Sequence, residues 1–210
     1  MYVQKLRLEE YKKRNPNELT GEQFKRIEEE MKNPKEGMIS DEYFDFKLWD
    51  LGFCSRQEYF AKYVATRLVR NNAKKVLEVG CGRTCRLSKL LEKRGFEMTC
   101  IDPKVDFSEK SNHIVVKNQK FDYTYDLSDY DYVIAQEPCD ATEHIVKACV
   151  EQKKPFIISL CRSPHTLICG KQMKDVSDWH QYLRNISGNE TKLICIKATP
   201  LLKTYILLKY

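Results

Sequence analysis

The sequence predicts an α/β protein: a doubly wound, mainly parallel sheet that closes on a C-terminal antiparallel hairpin, preceded by an N-terminal helical cap. Three observations carry that reading. From Lys75 onward, short apolar runs alternate with helix-patterned segments, the rhythm of a parallel sheet covered on both faces. The residues before that point have hydrophilic, helix-forming composition and no such runs. The last two apolar runs, 192–198 and 203–210, are joined by a short loop containing Pro200. A parallel neighbour needs a crossover of about a dozen residues or more, so these two strands form a hairpin.

In chain order, residues 4–14 and 20–33 read as helices, the second with Thr20 and Gln23 spaced as a capping box. "NPKEG" (33–37) breaks the pattern, and Ser40 can cap a further helix that Gly52 stops. Ser55 and Glu58 repeat the capping-box spacing ahead of a helix on which Tyr59, Phe60, Tyr63, Val64, Leu68 and Val69 recur at helical intervals. Asn71 and Asn72 end it. Strands are expected at 75–79, 97–101, 113–117, 131–135 and 155–160, and helices at 84–94, 140–152 and 175–186 with a weak piece near 106–110. The stretch 119–130 reads as loop. The expected organisation is a helical cap or lid over 1–72 and a cofactor-binding domain over 73–210.

A chain of 210 residues with 42% hydrophobic composition supports one good-sized core. Its longest apolar runs, such as "PFIISLC", fall far short of the roughly 20 residues needed to span a bilayer. The N-terminus mixes both charge signs without an apolar stretch, so a cytoplasmic location and no membrane partner are expected. The nine cysteines are spread through core elements rather than set in a framework, and are expected to be reduced. The net charge of +6 permits a nucleic-acid partner, but no arginine-rich or aromatic-interleaved stripe indicates one. The oligomeric state is not legible in any motif.

The stretch that carries chemistry is "KKVLEVGCGRTCRLSKLLEKRGFEMTCIDPK", residues 74–104. It reads as strand, glycine turn, helix and a second strand ending on an acid, a unit that binds adenosine cofactors. Gly80 and Gly82, flanking Cys81, let backbone N–H groups approach a ligand. Asp102, followed by Pro103, can accept from a ribose diol. A dinucleotide fingerprint wants a third small residue where Cys85 stands. Glu78, in an otherwise apolar strand, would repel a pyrophosphate and attract a cation. Its alternative is a structural acid paired with a local N–H or lysine.

These residues resemble motif I and the following acidic strand end of class I S-adenosylmethionine (SAM)-dependent methyltransferases, a Rossmann-like family, over residues 74–210. Glu78, Gly80 and Gly82 match its acid-x-Gly-x-Gly-x-Gly pattern, with Thr84 at the last glycine. The resemblance implies SAM as cofactor, S-adenosylhomocysteine (SAH) as product, and a methyl acceptor that the sequence does not identify. It places Glu78 near the methionine end, the turn 80–82 against the cofactor and Asp102 on the ribose hydroxyls. It leaves Asn118 and Gln119 as candidates for the adenine contact. An NAD-binding module, or a non-catalytic SAM-binding protein, are the alternatives.

Past the fourth strand, "AQEPCD" stands where amino-methylating relatives carry an Asn/Asp-Pro-Pro-aromatic motif. Gln136 is a cofactor contact candidate. Glu137 is the candidate base or holder of a substrate cation, with helix capping as its other role. His165, in the loop after the fifth strand, is placed to meet substrate. Tyr43, Phe46 and Trp49 are lid candidates. Cys81, Cys139 and Cys161 fall near strand carboxyl ends and can converge with Cys85. Cys161, His165 and Cys169 lack the tight CxxC pairs of structural zinc, so no metal is assigned.

Overall fold

The run Val76–Val79 enters a sheet that is covered on both faces, and every one of its side chains is buried, Glu78 included. The structure, a computed structural model, describes residues 56–106, 111–161, 163–197 and 203–210, with Gly21, Glu22 and Lys25 in helical conformation. The capping positions Thr20, Gln23, Ser40 and Ser55, the lid candidates Tyr43, Phe46 and Trp49, and most of the weak helix near 106–110 lie outside the described residues. By its internal contacts the chain divides into Met1–Tyr59 and Phe60–Tyr210.

Helix α1 (Arg56–Arg70) leads into β1 (Lys75–Val79), α2 (Arg86–Glu92), β2 (Glu97–Ile101), β3 (Ile114–Lys117) and β4 (Tyr132–Gln136). A 3-10 turn (Cys139–Ala141), α3 (Thr142–Glu151), β5 (Phe156–Ser159), α4 (Val176–Ser187) and the hairpin β6 (Lys192–Lys197) and β7 (Lys203–Lys209) follow. The seven strands lie in the order β3-β2-β1-β4-β5-β7-β6. The pairings β2–β3, β1–β2, β1–β4 and β4–β5 are parallel. Strand β7 inserts antiparallel between β5 and β6, with Phe156 opposite Lys209. The direction of winding reverses between β1 and β4, the topological switch point beside which ligands bind in open α/β sheets.

Central strands hemmed in on both faces read as continuous apolar runs. Accordingly Val133, Ile134, Ala135, Phe156, Ile157 and Ile158 are fully buried. On α1, Phe60, Val64 and Leu68 are buried as the periodicity requires, whereas Val69 is 65% exposed, at the edge of that apolar face. Asp175 caps α4 by accepting from the N–H groups of Ser177 (2.7 Å) and Asp178 (3.1 Å), and Gly188 stops it at φ +85°.

Helices α2 and α3 and strand β5 are each shorter than expected, and two strand starts shift for identifiable reasons. Strand β4 starts at Tyr132 because Asp131 turns its carboxylate onto the N–H groups of Lys74 (2.8 Å) and Lys75 (2.9 Å), tying the start of β1 to β4. Strand β3 starts at Ile114 because Ser111 Oγ accepts from the His113 and Ile114 N–H groups. Residues 119–130 form loop and turns, as expected.

Candidate functional site

The carboxyl ends of β1, β2 and β4 bring most of the expected site residues to one rim of the sheet. Gly80 follows β1 at φ +74°, donates its N–H to the Ile101 carbonyl (2.8 Å), and lies under Pro138. A Cβ on Gly80 would stand 3.0 Å from both Cα and Cβ of Pro138, so the glycine is required twice over, by conformation and by space. Gly82, at φ +65°, is exposed, with nothing among the described residues within 4 Å of where its Cβ would be. Its N–H donates to Asp102 Oδ2 (3.0 Å), and Lys104 N–H donates to Oδ1 (2.8 Å). A carboxylate has about four acceptor sites, so half-buried Asp102 keeps capacity for a diol beside the open glycine.

Glu78 is 2% exposed, and its Oε2 accepts from Ser88 N–H (3.0 Å) and from the Ser88 hydroxyl. Ser88 is the third residue of α2, one of the helix-terminal N–H groups without a partner inside the helix. The carboxylate thus seals the helix start from beneath. Burial pushes its pKa from 4.5 to about 7, with Cys85 and Asp102 adding to the rise, and the Ser88 hydrogen bonds do not offset it. Beside it, the ligand atoms of Cys81, Cys85 and Cys100 all lie within 4.8 Å of one another. The Cys85 thiol is held below its usual range by hydrogen bonding with the Cys100 and Cys81 thiols, while that of Cys81 is pushed up.

Asn118 spends its Nδ2 on the Val105 carbonyl (3.1 Å), joining the loops that follow β2 and β3. Gln119 and Pro103 are exposed nearby in sequence, and Gln136 ends β4 half-buried. Glu137 and Cys139, on either side of Pro138, adopt φ +51° and +52°. Such left-handed conformations cost non-glycine residues about 1–2 kcal/mol each and persist where surroundings impose them, often at functional sites. Here Glu137 N–H is anchored on the Ser159 carbonyl of β5 (2.8 Å). Helix α3 begins only at Thr142, and the N-cap residues Pro138 and Ala141 supply no side-chain cap.

The cysteines near the strand ends gather in two groups rather than one. Cys139 and Cys161 join His165, with ligand atoms within 4.8 Å, apart from the Cys81 group. Exposed Cys169 belongs to neither. His144 is ring-stacked on Tyr123 and lies 3.5 Å from Asp122. Glu143, which the sequence reading passed over, is 2% exposed and collects Tyr182 Oη (2.7 Å), Ile168 N–H (2.7 Å) and Lys147 Nζ (2.9 Å). Burial raises its pKa, but those three donors outweigh burial and hold it below the usual carboxylate value. The signal was there in the Glu143–Lys147 spacing; the two longer-range partners had none.

No protein-family model and no curated protein sequence matches the chain. Its structure is similar to the methyltransferase domain of bacterial CtHen1-CN, at 18% identity and a TM-score of 0.51, covering 73% of this chain and 98% of that one. It is also similar to the sugar N-methyltransferase KedS8 from a Streptoalloteichus species, at 14% identity and a TM-score of 0.50, covering 84% and 95%. The chain has the Rossmann-like fold of the class I SAM-dependent methyltransferases. Among the described residues, no helix is long and apolar enough to cross a membrane.

Proposed function

We propose that this chain binds SAM at the carboxyl ends of β1 and β2 and transfers its methyl group to an acceptor held beside the loop after β4. The observation that carries the reading is the pairing of open Gly82 with Asp102, whose carboxylate has spare acceptor sites for a ribose diol. SAM supplies an electrophilic methyl group, so the protein's task is alignment and, for some acceptors, removal of a proton. Asp102 orients the ribose, the 80–82 turn presents backbone, and Asn118, Gln119 and Gln136 stand as contacts around it. Glu137, fixed by its N–H on Ser159 and by its left-handed backbone, is the group to take a proton or hold a cationic acceptor.

A dinucleotide fits less well. Its pyrophosphate sits on the free N–H groups of the helix start, and here the Glu78 carboxylate already accepts the Ser88 N–H from below. Calorimetric titration with SAH and with NADH separates the two. SAH binding without a response to NADH is expected; NADH binding without SAH binding contradicts the proposal. Transfer from labelled SAM onto RNA, protein and small-molecule pools then tests catalysis. Glu137→Gln is expected to keep SAH binding and lose transfer.

A further inference from the structure

We infer that Cys139, Cys161 and His165 form a three-ligand seat for a thiophilic divalent cation of the zinc class, leaving a fourth coordination position for an exchangeable ligand. Strands β4 and β5 are neighbours with Gln136 opposite Ser159, so the residues that follow them leave the sheet at the same rim. Cys139 comes three residues after β4 and Cys161 two after β5. Their sulfurs are 3.8 Å apart. Tetrahedral zinc with Zn–S bonds of about 2.3 Å requires sulfurs about 3.8 Å apart, so the pair is spaced for the ion without rearrangement.

The histidine supplies the independent sign. His165 Nδ1 lies 3.2 Å from Asp140 Oδ1, while its Nε2 is buried and has no hydrogen-bond partner among the described residues. A buried polar atom left unpaired is costly, so such an atom points to a ligand. A carboxylate on one ring nitrogen fixes the tautomer and leaves the other nitrogen's lone pair available as a ligand, as in metal-bound histidines, and a ring nitrogen of His165 lies within 4.8 Å of both sulfurs. The frame around the seat is held in place: His180 Nε2–H donates to the Cys161 carbonyl (3.1 Å), and Cys139 is locked at φ +52°. Cys139 is exposed, which gives an ion an entry path.

The other thiol group lacks these signs. Cys81, Cys85 and Cys100 are all buried and bonded among themselves, to the Gly82 carbonyl and to the Ser88 hydroxyl, with no histidine in the group. The Cys139 and Cys161 thiols also have contacts, to the Glu137 carbonyl (3.4 Å) and to each other, so what sets their group apart is the exposed sulfur and the imidazole nitrogen left unpaired among the described residues. Two thiolates and a neutral imidazole balance the charge of a dication. The seat does not rest on the methyl-transfer reading, and its test reads metal alone.

The full chain, reduced and stripped of metal, is titrated with cobalt(II), followed by zinc(II) as competitor. The expected result is one cobalt per chain with thiolate-to-cobalt absorption and tetrahedral visible bands, displaced by zinc. Asp140→Asn should weaken binding about 10–100-fold through the histidine alone. Cys139→Ser and His165→Ala should weaken it further, and Cys169→Ser should leave it unchanged, with circular dichroism confirming that each variant folds. Absence of thiolate-to-cobalt absorption in the reduced wild type overturns the assignment. So does binding that survives Cys139→Ser and His165→Ala, and loss in Cys100→Ser alone would move the ion to the buried trio.

Discussion

Replacing Glu78 by glutamine should make the protein more stable at neutral pH and above, relative to wild type. The carboxyl's pKa rises from 4.5 to about 7 in the fold. At about 1.4 kcal/mol per unit, that difference is worth about 3 kcal/mol. Between those two values the folded chain holds a proton that the unfolded chain has released, so wild-type stability from this group is fully present below about pH 4.5. It falls as pH rises, by at most about 1.4 kcal/mol per unit, and is gone above about pH 7. The glutamine stays neutral throughout and keeps an oxygen for the Ser88 donors. Urea unfolding of both proteins from about pH 5 to about pH 8 isolates the effect, since every other group's titration cancels in the difference. The difference should climb by about 2–3 kcal/mol in the variant's favour across that window. A flat difference, or one that falls as pH rises, would show instead that the Ser88 hydrogen bonds outweigh burial and keep the carboxyl ionised in the fold.

Gly80→Ala should cost about 2 kcal/mol or more in unfolding free energy, since the new methyl group meets Pro138 and the residue must hold φ +74°. SAH affinity, measured by calorimetry, should fall with it as the loop after β4 is pushed off the turn. Asp102→Ala should weaken SAH binding about 10–100-fold, the value of hydrogen bonds to a charged acceptor, while far-ultraviolet circular dichroism stays unchanged. Glu143→Ala strands Tyr182, Ile168 N–H and Lys147 together. It should destabilise by about 2–3 kcal/mol at pH 7. Because the native pKa is depressed, that loss should shrink as pH falls through the folded-state value.

The sheet was legible because its signal is local: apolar runs of strand length, a glycine pair after the first, and a hairpin loop too short for any crossover. The strand ends were legible to within a residue. Where they moved, as at Asp131 and Ser111, a side chain had bound a distant or neighbouring backbone N–H that no periodicity reports. Glu78 was recognised as an anomaly in an apolar strand, but its partner Ser88, ten residues on, appears only once α2 packs over β1. Cys139, Cys161 and His165 were each visible, yet their spacing matches no metal motif because the ligands come from two adjacent strand ends. Register across β4 and β5, not sequence interval, brings them together.

A structure of the chain with SAH bound addresses the proposed cofactor site directly. The nucleoside should lie across Gly82 at the β1 and β2 ends, with the ribose diol on the Asp102 carboxylate. SAH bound elsewhere, or a nucleoside whose ribose makes no contact with Asp102, would contradict it.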